Sequence, residues 1–162
     1  MRVALRALVA VVPFMAAGVV SAQKAAQNPV RWQVTDGPVR PVSTGMPFGA
    51  AIVATIAPGW RLYAMEEPDR GPVPTEFTVP ADTSFELLNV RGDHPLRHFD
   101  PDTGLATTFY EGQASFLLRF KARSAMKAGA QQVSVSVRYQ ACNATMCLPP
   151  KTEDLHVPLV TR

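Results

Sequence analysis

The chain has 162 residues, and 16 Lys and Arg stand against 13 Asp and Glu for a formal net charge of +3. Arg91, Arg97, Arg119, Arg123 and Arg138 are scattered, with no basic run and no aromatic interleaving, which excludes a nucleic-acid-binding surface. Fifteen prolines and ten glycines, with no 3.6-residue apolar stripe after the first 22 residues, exclude long helices.

Residues 1–22 read as a secretory signal peptide. Arg2 and Arg6 give a basic start, Ala7 to Val20 an apolar core, and Val20-Ser21-Ala22 small residues for cleavage after Ala22. The apolar stretch is 14 residues long and contains Pro13, against the roughly 20 needed to span a bilayer, so a membrane anchor is set aside. Cleavage leaves 140 residues and removes two arginines and no acid, so the net charge falls to +1. That length suffices for one domain that buries about 68% of its unfolded surface. Residues 23–29 form a flexible lead-in, and residues 30–162 the domain.

Short apolar or alternating runs separated by Pro, Gly and Asp then predict an all-β sandwich. Strands are expected at Arg31–Thr35, Ala50–Ala57, Trp60–Ala64 after the Pro58-Gly59 turn, Glu76–Val79 and Phe85–Val90. Residues 92–104 are expected to form a long surface loop. Gln113–Lys121 places Phe116, Leu118 and Phe120 on one face, and Lys127–Ala130 reads as a turn, with a helical turn at most over Ser124–Ala130. Gln131–Tyr139 alternates with Val133, Val135, Val137 and Tyr139 on one side. Thr152–Val160 is the last strand, with Leu155, Val157 and Leu159 inward. No internal repeat or second-domain boundary is seen.

Cys142 and Cys147, the only cysteines, lie where the alternating strand ends and the last one begins. Facing residues on antiparallel strands are close enough for a disulfide. As a staple that bond is weak. Closing a loop of about six residues removes entropy worth ~2.2 kcal/mol, against ~4.3 kcal/mol for a bond closing about sixty. Two cysteines at a hairpin tip can attack and resolve a mixed disulfide. Yet no Lys, Arg or His lies between Gln140 and Pro150 to activate a thiol, and the C-x4-C spacing with this fold excludes a thioredoxin-like site. Residue chemistry therefore leaves two readings open: a redox couple, and a non-catalytic immunoglobulin-like binding or adaptor module with a static local disulfide.

No cofactor or metal is expected. His94, His98 and His156 lack ligand spacing, Met146 has no second methionine or histidine beside it for copper, and Asp100 and Asp102 read as solvated turn residues. Trp60, Tyr63, Phe109 and Tyr110 are core residues by default.

Tyr139-Gln-Ala-Cys-Asn-Ala-Thr-Met-Cys-Leu-Pro-Pro-Lys-Thr152 closely resembles the signature of the periplasmic N-terminal domain of DsbD, the thiol:disulfide interchange protein. Pro58-Gly-Trp-Arg-Leu-Tyr63, Gly71-Pro-Val-Pro-Thr75 and Phe109-Tyr-Glu-Gly112 follow the family's order, and the similarity runs from about Val30 to Val160. The resemblance implies an immunoglobulin-like sandwich in the periplasm whose Cys142/Cys147 pair cycles between dithiol and disulfide. A membrane thiol transporter or a thioredoxin-like domain would be the electron donor, and oxidised periplasmic proteins the acceptors. Cys147 would form the mixed disulfide and Cys142 resolve it. Phe109 with Tyr110 would cap the pair, Tyr63 would line the site, and Pro149 and Pro150 would stiffen the hairpin exit. Two departures stand out. Thr107 and Thr108 occupy places that are acidic in membrane-fused relatives, which leaves Glu111 as the nearest substitute. The chain stops at Arg162 without a transmembrane or thioredoxin module, so a separate donor protein is expected.

Overall fold

A computed structural model of the chain describes residues 28–81, 84–101, 104–123 and 126–162. The expected signal peptide and residues 23–27 of the lead-in lie outside them. Eleven strands occur in chain order: β1 Val30–Asp36, β2 Pro47–Ile56, β3 Arg61–Tyr63, β4 Glu76–Thr78, β5 Phe85–Gly92, β6 Leu96–Asp100, β7 Leu105–Tyr110, β8 Gln113–Ala122, β9 Gly129–Tyr139, β10 Ala141–Cys142 and β11 Lys151–Thr161. No helix occurs among the described residues.

Alternation along the sequence dictates which face is buried. Ala114, Phe116, Leu118, Phe120 and Ala122 of β8 point inward, as do Val133, Val135, Val137 and Tyr139 of β9. The strands pair as β1-β2-β8-β5, as β11-β9-β4 and as β10-β3-β7-β6, every ladder antiparallel. The second and third sheets join into one layer: Tyr63 N–H donates to the Gln140 carbonyl, and Thr75 N–H to that of Ala64.

Aromatic packing closes this layer on the first sheet. Trp32 of β1 lies 5.7 Å from Phe77, 5.6 Å from Phe116 and 5.4 Å from Tyr139, measured between ring centroids. Tyr110 of β7 meets Phe116 of β8 edge-on at 5.5 Å. The architecture is the expected all-β, immunoglobulin-like sandwich.

Three local expectations need correction. The long loop over 92–104 contains β6, which pairs with β7 from Leu96↔Phe109 to Asp100↔Leu105. Leu96 and Phe99 are 54% and 61% exposed, so this edge strand shows no buried alternation and is defined by its backbone pairing alone. The turn over Lys127–Ala130 is shorter than expected, because Gly129 and Ala130 already belong to β9 opposite Thr161 and Val160. At the domain start, Asn28 and Pro29 are held rather than flexible: Asn28 Nδ2 donates to Glu153, and the Pro29 carbonyl accepts from Ala57 N–H.

Candidate functional site

The cysteines sit across a tight hairpin. Leu148 N–H donates to the Ala141 carbonyl and Asn143 N–H to that of Met146, so Cys142 and Cys147 occupy the non-hydrogen-bonded pair between them, where facing side chains approach most closely. They form a disulfide with a Cα–Cα distance of 4.0 Å. The turn is built by Asn143, whose Oδ1 accepts from Thr145 N–H, Thr145 Oγ1 and Met146 N–H, an Asx motif that fixes the two-residue connection. The two sulfur-bearing residues differ in access: Cys142 is 3% exposed, whereas Cys147 is on the surface.

Gln140 holds the base of this hairpin. Its Oε1 accepts from Val73 N–H at 2.8 Å and its Nε2 donates to the Leu148 carbonyl at 2.9 Å, tying the Gly71–Thr75 segment to the strand leaving Cys147. Tyr139, one residue earlier, is anchored in the core: its hydroxyl donates to Glu153 and Asn28. Burial, reinforced by the adjacent Glu153 carboxylate, pushes that hydroxyl far above the ordinary tyrosine range. Glu153 itself is held below the usual carboxylate range. Burial pushes it up, but hydrogen bonds from Tyr139, Lys151 and Asn28, together with the Lys151 charge, outweigh that effect.

Strand register sorts the remaining residues. Ala141, Leu62 and Tyr110 form one row facing the core. Cys142 opposite Arg61, and Tyr63 opposite Phe109, lie on the other face. The adjacent aromatics therefore separate. Phe109 shares the face of Cys142 and Tyr63, whereas Tyr110 packs on Phe116 beneath them and donates its hydroxyl to the Asp93 carbonyl. Gly92 makes room for that ring, since a Cβ there would stand 2.8 Å from the Tyr110 oxygen. Pro149 and Pro150 are exposed and border a cleft of about 250 Å³ with Tyr139 and Leu148.

Two residues absent from the sequence-based site belong to this neighbourhood. The Arg61 guanidinium lies 4.3 Å above the Phe109 ring centroid and pairs with Glu111 at 3.0 Å. Glu67, from the segment after β3, accepts from both Thr108 N–H and Thr108 Oγ1 at 2.9 Å, so a carboxylate reaches β7 despite the threonines at 107 and 108. Burial raises the pKa of Glu67, against the lowering effect of its hydrogen bonds from Thr108. Tyr63 is also raised, first by burial; Arg61 lowers it and Glu67 raises it. Strand pairing could have revealed Arg61, one residue before the inward Leu62. Glu67 gives no local signal, because its partner lies 41 residues away.

Among the described residues, no three His, Cys, Asp or Glu side chains gather as a metal site requires, and no helix is long and apolar enough to cross a membrane. Of the two cysteines in this disulfide, Cys147 is the one exposed to solvent, and exchange requires that a thiolate reach a disulfide sulfur.

No curated protein matches the chain. Among solved structures, the reduced N-terminal domain of DsbD from Neisseria meningitidis aligns with 17% identity and a TM-score of 0.51, covering 78% of this chain and 85% of that one, a likeness of fold. The N-terminal periplasmic domain of ScsB from Proteus mirabilis aligns with 16% identity and a TM-score of 0.49, over 81% of this chain and 45% of that one. The complex between the DsbD and PilB N-terminal domains from Neisseria meningitidis gives 17% identity and a TM-score of 0.48, over 86% and 88%. Residues 38–158, which hold the hairpin, Gln140, Phe109 and Arg61, match the model for the N-terminal part of the thiol:disulfide interchange protein DsbD. The chain belongs to the DsbD N-terminal domain family, whose thiol–disulfide interchange chemistry its cysteine pair is built to support.

Proposed function

We propose that this chain is a periplasmic thiol–disulfide exchange protein. It takes reducing equivalents from a membrane thiol transporter or a thioredoxin-like donor and passes them to oxidised periplasmic proteins through Cys142 and Cys147. The observation that carries this reading is the unequal access of the two cysteines across one tight hairpin.

In the reductive half, a donor thiolate attacks the Cys147 sulfur. The Cys142–Cys147 bond breaks, a mixed disulfide forms, and the electron pair leaves on Cys142. The donor's second thiol then displaces Cys147, so the donor becomes a disulfide and this chain a dithiol, two protons passing with the two electrons. In the second half, Cys147 attacks an oxidised protein and Cys142 resolves the mixed disulfide. Phe109, on the face of Cys142 and under the Arg61 guanidinium, serves as the cap, and Tyr63 lines the same face. The signal peptide over residues 1–22, with cleavage after Ala22, delivers the domain to the periplasm.

The test is trapping. With an oxidised thioredoxin-like protein, Cys142→Ser should accumulate a mixed disulfide through Cys147 on a non-reducing gel, and Cys147→Ser should accumulate little. Equal trapping by the two variants overturns the roles, and trapping by neither overturns the exchange function.

A further inference from the structure

We propose that Arg61 is a positioning residue that supplies the counter-charge for the Cys142 thiolate, an assignment that rests on the exchange reading above. Three observations place it. Arg61 is in direct register with Cys142 across β3 and β10, so the two Cβ atoms lie on one face at about 4.5–5.5 Å. Its guanidinium is held on that face by the Phe109 ring and by Glu111. Its charge also reaches Tyr63, the next residue on the same face, where it opposes the effect of burial on the hydroxyl.

The chemistry asks for such a cation. When Cys147 is attacked, the electron pair of the broken S–S bond goes to Cys142, which is 3% exposed and has little water to solvate a thiolate. The hairpin itself carries no Lys, Arg or His between Gln140 and Pro150. A guanidinium one strand away lowers the cost of the buried thiolate and makes Cys142 a better leaving group. The partner that Arg61 must release is Glu111, and that ion pair is exposed at 41% and 49%, hence weak and readily exchanged. The same movement lifts the guanidinium from Phe109, so reduction of the bond and loosening of the cap are coupled through one side chain.

The other titratable groups on this face and beside it are Tyr63 on β3, Glu111 after β7, Glu67 after β3 and His98 on β6. Glu111 and Glu67 oppose the effect of Arg61, so removal of Glu111 should act in the opposite direction to removal of Arg61.

The experiment follows the ultraviolet absorbance of the thiolate against pH in the reduced protein, with Cys147→Ser as background so that Cys142 alone titrates. Arg61→Gln should lower the Cys142 thiolate fraction at neutral pH by about tenfold, one pKa unit, and Arg61→Lys should restore most of it. Glu111→Gln, which leaves the core untouched, should raise that fraction. An unchanged titration in Arg61→Gln overturns the proposal, as does an equal loss in Arg61→Lys or an unchanged fraction in Glu111→Gln. The titration needs no partner protein. A null titration alongside normal trapping removes only the role of Arg61, whereas a normal titration without trapping removes the exchange function.

Discussion

Gln140→Ala isolates what the hydrogen-bonded geometry of the hairpin base contributes. The substitution deletes two side-chain hydrogen bonds, from Val73 N–H at 2.8 Å and to the Leu148 carbonyl at 2.9 Å, both in a half-buried setting. Each bond is worth about 1 kcal/mol net, and the backbone groups left behind are only partly rehydrated, so the total loss should be about 2–3 kcal/mol. For a domain of this size that corresponds to a fall in Tm of about 7–10 °C. Urea unfolding should show a lower midpoint with an unchanged slope. Gln140→Glu keeps the acceptor for Val73 but turns a carboxylate toward the Leu148 carbonyl, so it should lose at least half as much. Because Leu148 follows Cys147 directly, Gln140→Ala should also speed reduction of the disulfide by a small dithiol. A stability within about 0.5 kcal/mol of the parent, with an unchanged reduction rate, would refute the idea that Gln140 clamps the site.

Three further outcomes can be checked with simple assays. Phe109→Ala should cost about 3 kcal/mol in chemical unfolding, as for a large buried ring, and should speed alkylation of the reduced cysteine pair; an unchanged alkylation rate would mean that Phe109 packs without screening the thiols. Replacing both cysteines with alanine should lower stability by only ~2 kcal/mol and leave the sandwich folded; loss of folding would make the bond a structural staple. Glu153 titrates below its ordinary value near 4.5 in the folded chain, so the unfolded chain takes up that proton more readily. Its contribution is present above about pH 4.5 and is lost as the pH falls through the folded value, and Glu153→Gln should flatten that part of the acid decline in Tm.

The sandwich was legible because its core strands alternate. Phe116, Leu118 and Phe120, and Val133 to Tyr139, declare a buried face by residue type alone. Edge strand β6 was not legible, since Leu96 and Phe99 are exposed and only the backbone of β7 defines it. The cysteine hairpin could be read from its spacing and the motif around it. The charged residues near it could not, because the stretch from Gln140 to Pro150 carries no charge and both neighbours arrive by tertiary pairing. Arg61 comes from β3, 81 residues before Cys142, and Glu67 from the segment that follows it. Tyr110 shows the limit of motif transfer: next to Phe109 in sequence, it faces the opposite side of its strand.

The most direct measurement is the reduction potential of the Cys142–Cys147 bond, set by equilibration in thiol–disulfide redox buffers. A bond that closes a six-residue loop at an exposed hairpin and works in exchange should lie well above about −300 mV, among the exchange proteins. A potential below about −300 mV, the range of structural disulfides, would contradict the assignment and leave the pair a static link in a binding module.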